Sequence, residues 1–176
     1  MPLPCSVVRV NKRKVVIGID PGESGAICVL DPGSKEVIFI PTTWKPIETV
    51  EWYKALLHEC TISVVMVEKV HAIPGAAAGT SFKFGANVNL VETVPLTLGI
   101  SLDKVTPKTW QKFIGLTAHA NVAAGPARKK AIKHGVADIC DRLYPNVNIR
   151  GPRGGLLDGR SDALMIAHYA SQTFKT

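Results

Sequence analysis

Asp20 and Glu68 each close a run of apolar residues, and Asp158 and Asp162 stand four apart in the last part of the chain. A carboxylate at the end of a buried strand is expensive unless a cation or hydrogen bonds compensate it. Should the strands ending at 20 and 68 lie side by side, two unneutralised carboxylates about 4 Å apart repel by roughly 4 kcal/mol at an effective dielectric of 20. Such a pair calls for a cation or a shared proton. Carboxylates are hard oxygen ligands suited to Mg²⁺ or Mn²⁺, so four of them converging on one place point to a metal site.

The rest of the chain must bring these four together. Val15 to Asp20 is short, nearly all apolar and rich in β-branched residues, which predicts a buried central strand. Pro21 to Gly25 turns the chain before a second apolar run, Ala26 to Leu30, and Asp31-Pro32-Gly33-Ser34 turns it again before Val37 to Ile40. Turns this short join only antiparallel neighbours, so the opening is a three-stranded meander. Pro46 to Cys60 has near-helical apolar spacing, and Ile62 to Val67 is a fourth strand that the helix allows to run parallel to the first. Asp20 and Glu68 then share the carboxyl edge of the sheet, where open α/β sheets place their sites.

His71 to Phe84 is small and glycine-punctuated and reads as a mobile loop; Asn87 to Leu98 reads as a helix distorted near Pro95, and Leu102 to Val105 as a fifth strand. Thr106-Pro107 opens a further helix, with Thr106 as its N-cap and Pro107 in the first helical position. Pro126 to Leu143 is a basic helix after a second soft loop, and a Gly-, Pro- and Arg-rich stretch, Tyr144 to Leu157, leads to the final helix. There Asp158, Asp162, Ile166 and Tyr169 share one face, so the stripe that packs on the sheet continues into two acids. Asp158 also suits an N-cap, the better reading of that residue taken alone. Asp162 lies inside the helix, where capping does not apply, and a ligand role suits it better.

The net charge is +7, and between Lys104 and Arg160 basic residues recur against few acids. A polyanion is one natural partner; a solvated basic face that maintains solubility is the other reading. Cys5, Cys28, Cys60 and Cys140 are scattered, with neither zinc-ligand nor disulfide-framework spacing, which predicts free thiols in a reducing compartment. No apolar run is long enough to span a bilayer and Met1 to Lys14 does not read as a secretion signal, so a cytoplasmic protein without membrane attachment is expected. The length suits one domain, residues 14–176, behind an extension at 1–13.

The strings Ile17-Gly18-Ile19-Asp20-Pro21-Gly22, Val67-Glu68-Lys69-Val70 and Asp158-Gly-Arg-Ser-Asp162-Ala-Leu-Met-Ile-Ala167 together resemble the RuvC family of Holliday junction resolvases. Phe82-Lys83-Phe84-Gly85 and Thr106-Pro107-Lys108-Thr109-Trp110-Gln111-Lys112 look more like its compact phage and prophage relatives. An acid and glycine after a strand also opens the actin-like ATPase fold, but that reading needs a second domain and a repeat that this chain lacks. The resemblance covers about Val15 to Tyr169 and implies an α/β, ribonuclease H-like fold: a five-stranded mixed sheet, three antiparallel strands first, flanked by helices. It implies a homodimer that binds four-way DNA in recombination and repair and nicks two strands symmetrically. Asp20, Glu68, Asp158 and Asp162 would hold two Mg²⁺ ions, with Mn²⁺ as a substitute, and hydrolysis would leave a 5′ phosphate and a 3′ hydroxyl.

The family pattern commonly spaces the last two acids three apart; here they are four apart, around Gly159 and Arg160. Lys83, Lys108, Lys112, Arg128, Lys129, Lys130 and Lys133 would meet backbone phosphates, with Lys112 or Lys129 near the scissile one. Phe82 or Phe84 would stack on bases at the crossover, or else anchor the loop, and His71 would assist the attacking water or simply be solvated. Trp44, Trp52 and Trp110 read as packing residues. The alternatives are a nuclease of this fold acting on other branched DNA or structured RNA, and a DNA-binding module without catalysis.

Overall fold

The structure, a computed structural model, describes residues 12–22, 24–40, 45–70, 77–117 and 121–174. Cys5, Trp44, His71 and nearly all of the N-terminal extension lie outside them. The elements in chain order are β1 (Arg13–Asp20), β2 (Ala26–Leu30), β3 (Val37–Ile40), α1 (Pro46–Glu59), β4 (Cys60–Glu68), α2 (Ala78–Thr97), β5 (Leu102–Val105), α3 (Pro107–Phe113), α4 (Pro126–Leu143) and α5 (Asp158–Thr173).

The strands form one mixed sheet in the order β3-β2-β1-β4-β5. β2 pairs antiparallel with β1 and β3, whereas β4 runs parallel to both β1 and β5. The short turns after β1 and β2 dictate the first arrangement, and the crossovers through α1 and α2 permit the second. Asp31 holds the second turn, its Oδ1 accepting the Gly33 N–H at 2.8 Å. β1, apolar on both faces, takes the centre, and the edge strands β3 and β5 alone carry little buried surface.

Side chains alternate across the pleat, so each strand feeds two cores. Val16, Cys28, Leu30, Val64 and Met66 pack on one face with residues of α3, α4 and α5. Ile17, Ile19, Ile27, Val29, Val65 and Val67 pack on the other with Tyr53 and Leu56 of α1 and Val91 and Val94 of α2. Ile17, Ile19, Val64 and Val65 have no exposed surface, and each such side chain contributes about 1.5–3 kcal/mol of burial.

Residues 78–84, read from sequence as part of a loop, are helical. Phe82, Lys83 and Phe84 therefore sit on the first turns of α2, where Ser81 N–H already donates to the Ala77 carbonyl at 3.0 Å. Gly79 lies within the misread stretch and Gly85 just after it. A Cβ at either would meet nothing within 4 Å, so these glycines mark an uncovered stretch of helix rather than a break. Among the described residues no helix is long and apolar enough to cross a membrane.

Candidate active site

Strand alternation aims the first two acids. In β1, Asp20 shares parity with Val16 and Gly18, which face α5; in β4, Glu68 shares parity with Val64 and Met66, which face the same way. Ile19 is paired with Val67, so Asp20 and Glu68 leave the sheet at the same level of adjacent parallel strands. Each is half-buried and held by one donor. Gly22 N–H donates to Asp20 Oδ1 at 3.0 Å, and the indole Nε1–H of Trp110 donates to Glu68 Oε1 at 2.9 Å.

Helix α5 carries the other two acids against this edge, and glycine lets it come close. A Cβ on Gly18 would run into the backbone of Ala163 and Ala167, and one on Gly159 into the backbone of Ser24 and Gly25. The first turn of α5 therefore rests directly on the turn that follows Asp20. Asp158 does not cap this helix: Leu157 occupies the N-cap, and Asp158 is the first helical residue. Its carboxylate is thereby released from local hydrogen bonding and forms an ion pair with Lys133 of α4. Asp162, one turn further along, is half-buried behind it.

The four carboxylates feel one another. Burial pushes Asp162 well above the ordinary carboxylate range, and the charges of Asp20, Glu68 and Asp158 add to the shift while Lys133 opposes it. Burial likewise raises Glu68, to about 7, against the indole hydrogen bond and with a contribution from Asp20. Asp20 is raised by burial, restrained by the Gly22 N–H, and raised again by Asp158. Opposed like charges of this kind mark a place where a cation is favoured.

Four hard oxygen donors in a half-buried cluster fit a divalent ion such as Mg²⁺ or Mn²⁺. Among the described residues, no three acidic, histidine or cysteine side chains already form a metal cage. Asp20, Glu68 and Asp158 are each held by a partner of their own.

The basic residues divide between two grooves. Lys108, Lys112 and Arg128 line a cleft of about 620 Å³ between α3 and α4. Lys129, Lys130 and Lys133 line a second, of about 420 Å³, whose wall includes Asp158. The lysine that reaches the acids is thus Lys133, one helical turn beyond Lys129, whereas Lys112 lines the other cleft. Arg150 is committed elsewhere, in a two-pronged pair with Asp141 at 3.0 and 2.6 Å. Phe82, 80% exposed, and Lys83 lie apart from both clefts on α2, and Phe84 is half-buried.

Sequence reasoning placed Trp110 in the core and Lys133 among the phosphate contacts, and missed the contact that each makes with an acid. Trp110 is a packing residue, with no exposed surface, but it also holds Glu68. Its position next to the Thr106-Pro107 helix start was the available signal, since that start follows directly on the strand paired with Glu68. Lys133 had only its spacing from Lys129.

A central sheet of three antiparallel strands followed by two parallel ones, with helices on both faces and acids at the carboxyl edge of β1 and β4, defines the ribonuclease H-like class. Within it, the chain has a RuvC-like fold. The structure of T. thermophilus RuvC in complex with Holliday junction substrate superposes with a TM-score of 0.55 at 18% identity, covering 90% of this chain and 95% of that one. A second, Thermus thermophilus RuvC, gives a TM-score of 0.49 at 22% identity, covering 91% and 97%. No protein-family model and no curated sequence matches the chain.

Proposed function

We propose that residues 14–176 act as one structure-specific endonuclease domain that resolves four-way DNA junctions. It works as a homodimer and makes paired, symmetric nicks that leave a 5′ phosphate and a 3′ hydroxyl. The observation that carries this reading is the meeting of Asp20, Glu68, Asp158 and Asp162, from three separate elements, with Asp158 in the wall of a groove lined by Lys129, Lys130 and Lys133. The structural neighbour bound to a Holliday junction supports the choice of substrate. A binding module has no use for four acids that repel a phosphate backbone.

Two Mg²⁺ or Mn²⁺ ions held by the four carboxylates would supply an activated water and charge compensation for the leaving oxygen. The chain's own residues do the rest. Asp20 and Glu68, fixed on rigid strand ends, and Asp162, fixed on a buried helix, set the positions of the donor oxygens. Lys133, paired with Asp158, is the side chain best placed to meet the scissile phosphate. Lys108, Lys112, Arg128, Lys129 and Lys130 neutralise the flanking phosphates without reading sequence. Phe82 offers an exposed ring to an unpaired base, worth roughly 1–3 kcal/mol, with Lys83 beside it for the backbone.

The test is a synthetic four-way junction incubated with the protein and Mg²⁺, with flap and duplex substrates in competition. Paired nicks at the crossover are expected from the wild type. Asp162→Asn should cut nothing yet bind the junction at least as well, because one repelling charge is gone. Preference for flaps over junctions would reassign the substrate; cutting that survives Asp162→Asn would end the proposal.

A further inference from the structure

Among the described residues the side chain of Trp110 is the largest with essentially no exposed surface, and its one polar atom is aimed out of the core at a carboxylate of the site. Indole Nε1–H is a donor without acceptor capacity and without a second protonation state, so it imposes a direction on whatever accepts it. Here the acceptor is Glu68 Oε1 at 2.9 Å, so the carboxylate is held through one of its two oxygens and the other is left without this donor. The donor itself cannot drift. Trp110 belongs to the core cluster shared by Val105, Leu116, Val136 and Cys140. The start of its helix is fixed by Thr106, whose Oγ1 accepts the Thr109 N–H at 3.2 Å. Val105 in turn is paired with Glu68 itself, and its carbonyl accepts the Lys69 N–H at 2.7 Å. Donor and acceptor are thus held by the same two-strand frame.

We infer that Trp110 is a positioning residue: its indole N–H fixes the Glu68 carboxylate in one orientation and so raises the affinity of the acid cluster for a divalent cation. This rests on the proposed metal site and goes beyond it, because a packing role needs the ring of Trp110 but not its nitrogen. Partners that orient a ligating side chain typically account for 10–100-fold in metal affinity.

The decisive variant replaces Trp110 by β-(3-benzothienyl)alanine in the full chain, which keeps the ring's shape and exchanges N–H for sulfur. Mn²⁺ binding is measured by electron paramagnetic resonance, with thermal melting as the check on folding. About 10-fold weaker Mn²⁺ binding or more is expected at a nearly unchanged melting temperature, with Trp52→Phe binding as the wild type does. In the wild type, the Trp110 indole N–H resonance should shift on titration with Mg²⁺ while that of Trp52 stays in place, a readout that needs no variant. Equal Mn²⁺ affinity of the analogue and wild type, or a Trp110 resonance indifferent to Mg²⁺, overturns the inference and leaves the nuclease reading standing. A wild type that binds no Mn²⁺ overturns both.

Discussion

Replacing Glu68 by Gln should stabilise the protein in the presence of a chelator at about pH 8, although it damages the proposed site. In the folded chain the carboxyl of Glu68 is raised from the ordinary 4.5 to about 7, burial being the main cause. Below about pH 4 the group is protonated folded or unfolded, and wild type and variant should melt together. Between the two values the unfolded chain releases its proton first, so the wild type loses stability as pH rises and the variant does not. The gap between 4.5 and about 7, at about 1.36 kcal/mol per pH unit, caps the loss near 3 kcal/mol. Glu68 is only half-buried, and solvent screening reduces this to about 1–2 kcal/mol. That corresponds to roughly 3–6 °C for a domain of this size.

Gln can still accept the indole N–H through its amide oxygen, so the comparison isolates the charge. The assay is thermal melting of both proteins across pH, with chelator and again with Mg²⁺. The ion should restore the wild type by up to about 2.7 kcal/mol at a hundredfold excess over its dissociation constant, and the variant by much less. A variant that melts at or below the wild type at about pH 8 without metal would refute the claim that Glu68 is ionised at a cost.

Gly18→Ala should destabilise by about 3 kcal/mol or more in chemical denaturation, because its Cβ meets the backbone of Ala163 and Ala167, which no rotamer change relieves. Tyr53→Phe should be neutral or stabilising by about 1 kcal/mol in the same assay, since the Tyr53 hydroxyl is buried with no hydrogen-bond partner among the described residues. Junction binding by a dimer that contacts roughly 6–10 phosphates should weaken by about 10³–10⁵ between 50 and 200 mM salt, and a nearly flat salt titration by fluorescence anisotropy would contradict that contact surface. Lys133→Ala should lower the cutting rate at least about 10-fold while weakening junction binding only slightly, as single-turnover kinetics and anisotropy can separate.

What could be read from the sequence was what local chemistry decides. The Asp31 turn, the Thr106-Pro107 helix start and the limits of β2, β3, β5 and α4 follow from residues within a few positions of one another, and the structure has them where those residues put them. The facing of Asp20 and Glu68 was equally legible, because strand alternation and a parallel crossover leave little choice. The first turns of α2 were not. Ala78 to Phe84 has no amphipathic stripe, and its helix grows out from the packed turns at Val91 and Val94. Nor could neighbouring residues reveal that Leu157 takes the N-cap and frees Asp158 for Lys133, since that exchange depends on how α4 and α5 pack. The same holds for Trp110, whose apolar body was evident and whose nitrogen's target was not.

The distance along the polypeptide between β1 and α5 sets when the acid cluster can exist during folding. The meander closes through neighbouring residues, but the glycine-mediated seat of α5 on β1 must wait for the ends of most of the chain to find each other, the slowest kind of closure. A molecule in which β1 and β4 had paired before α5 docked would hold Asp20 and Glu68 without Asp158 and Asp162. For the proposed nuclease, cutting power and the finished native state should arrive in the same kinetic phase, and loosening of the last helix should abolish cutting.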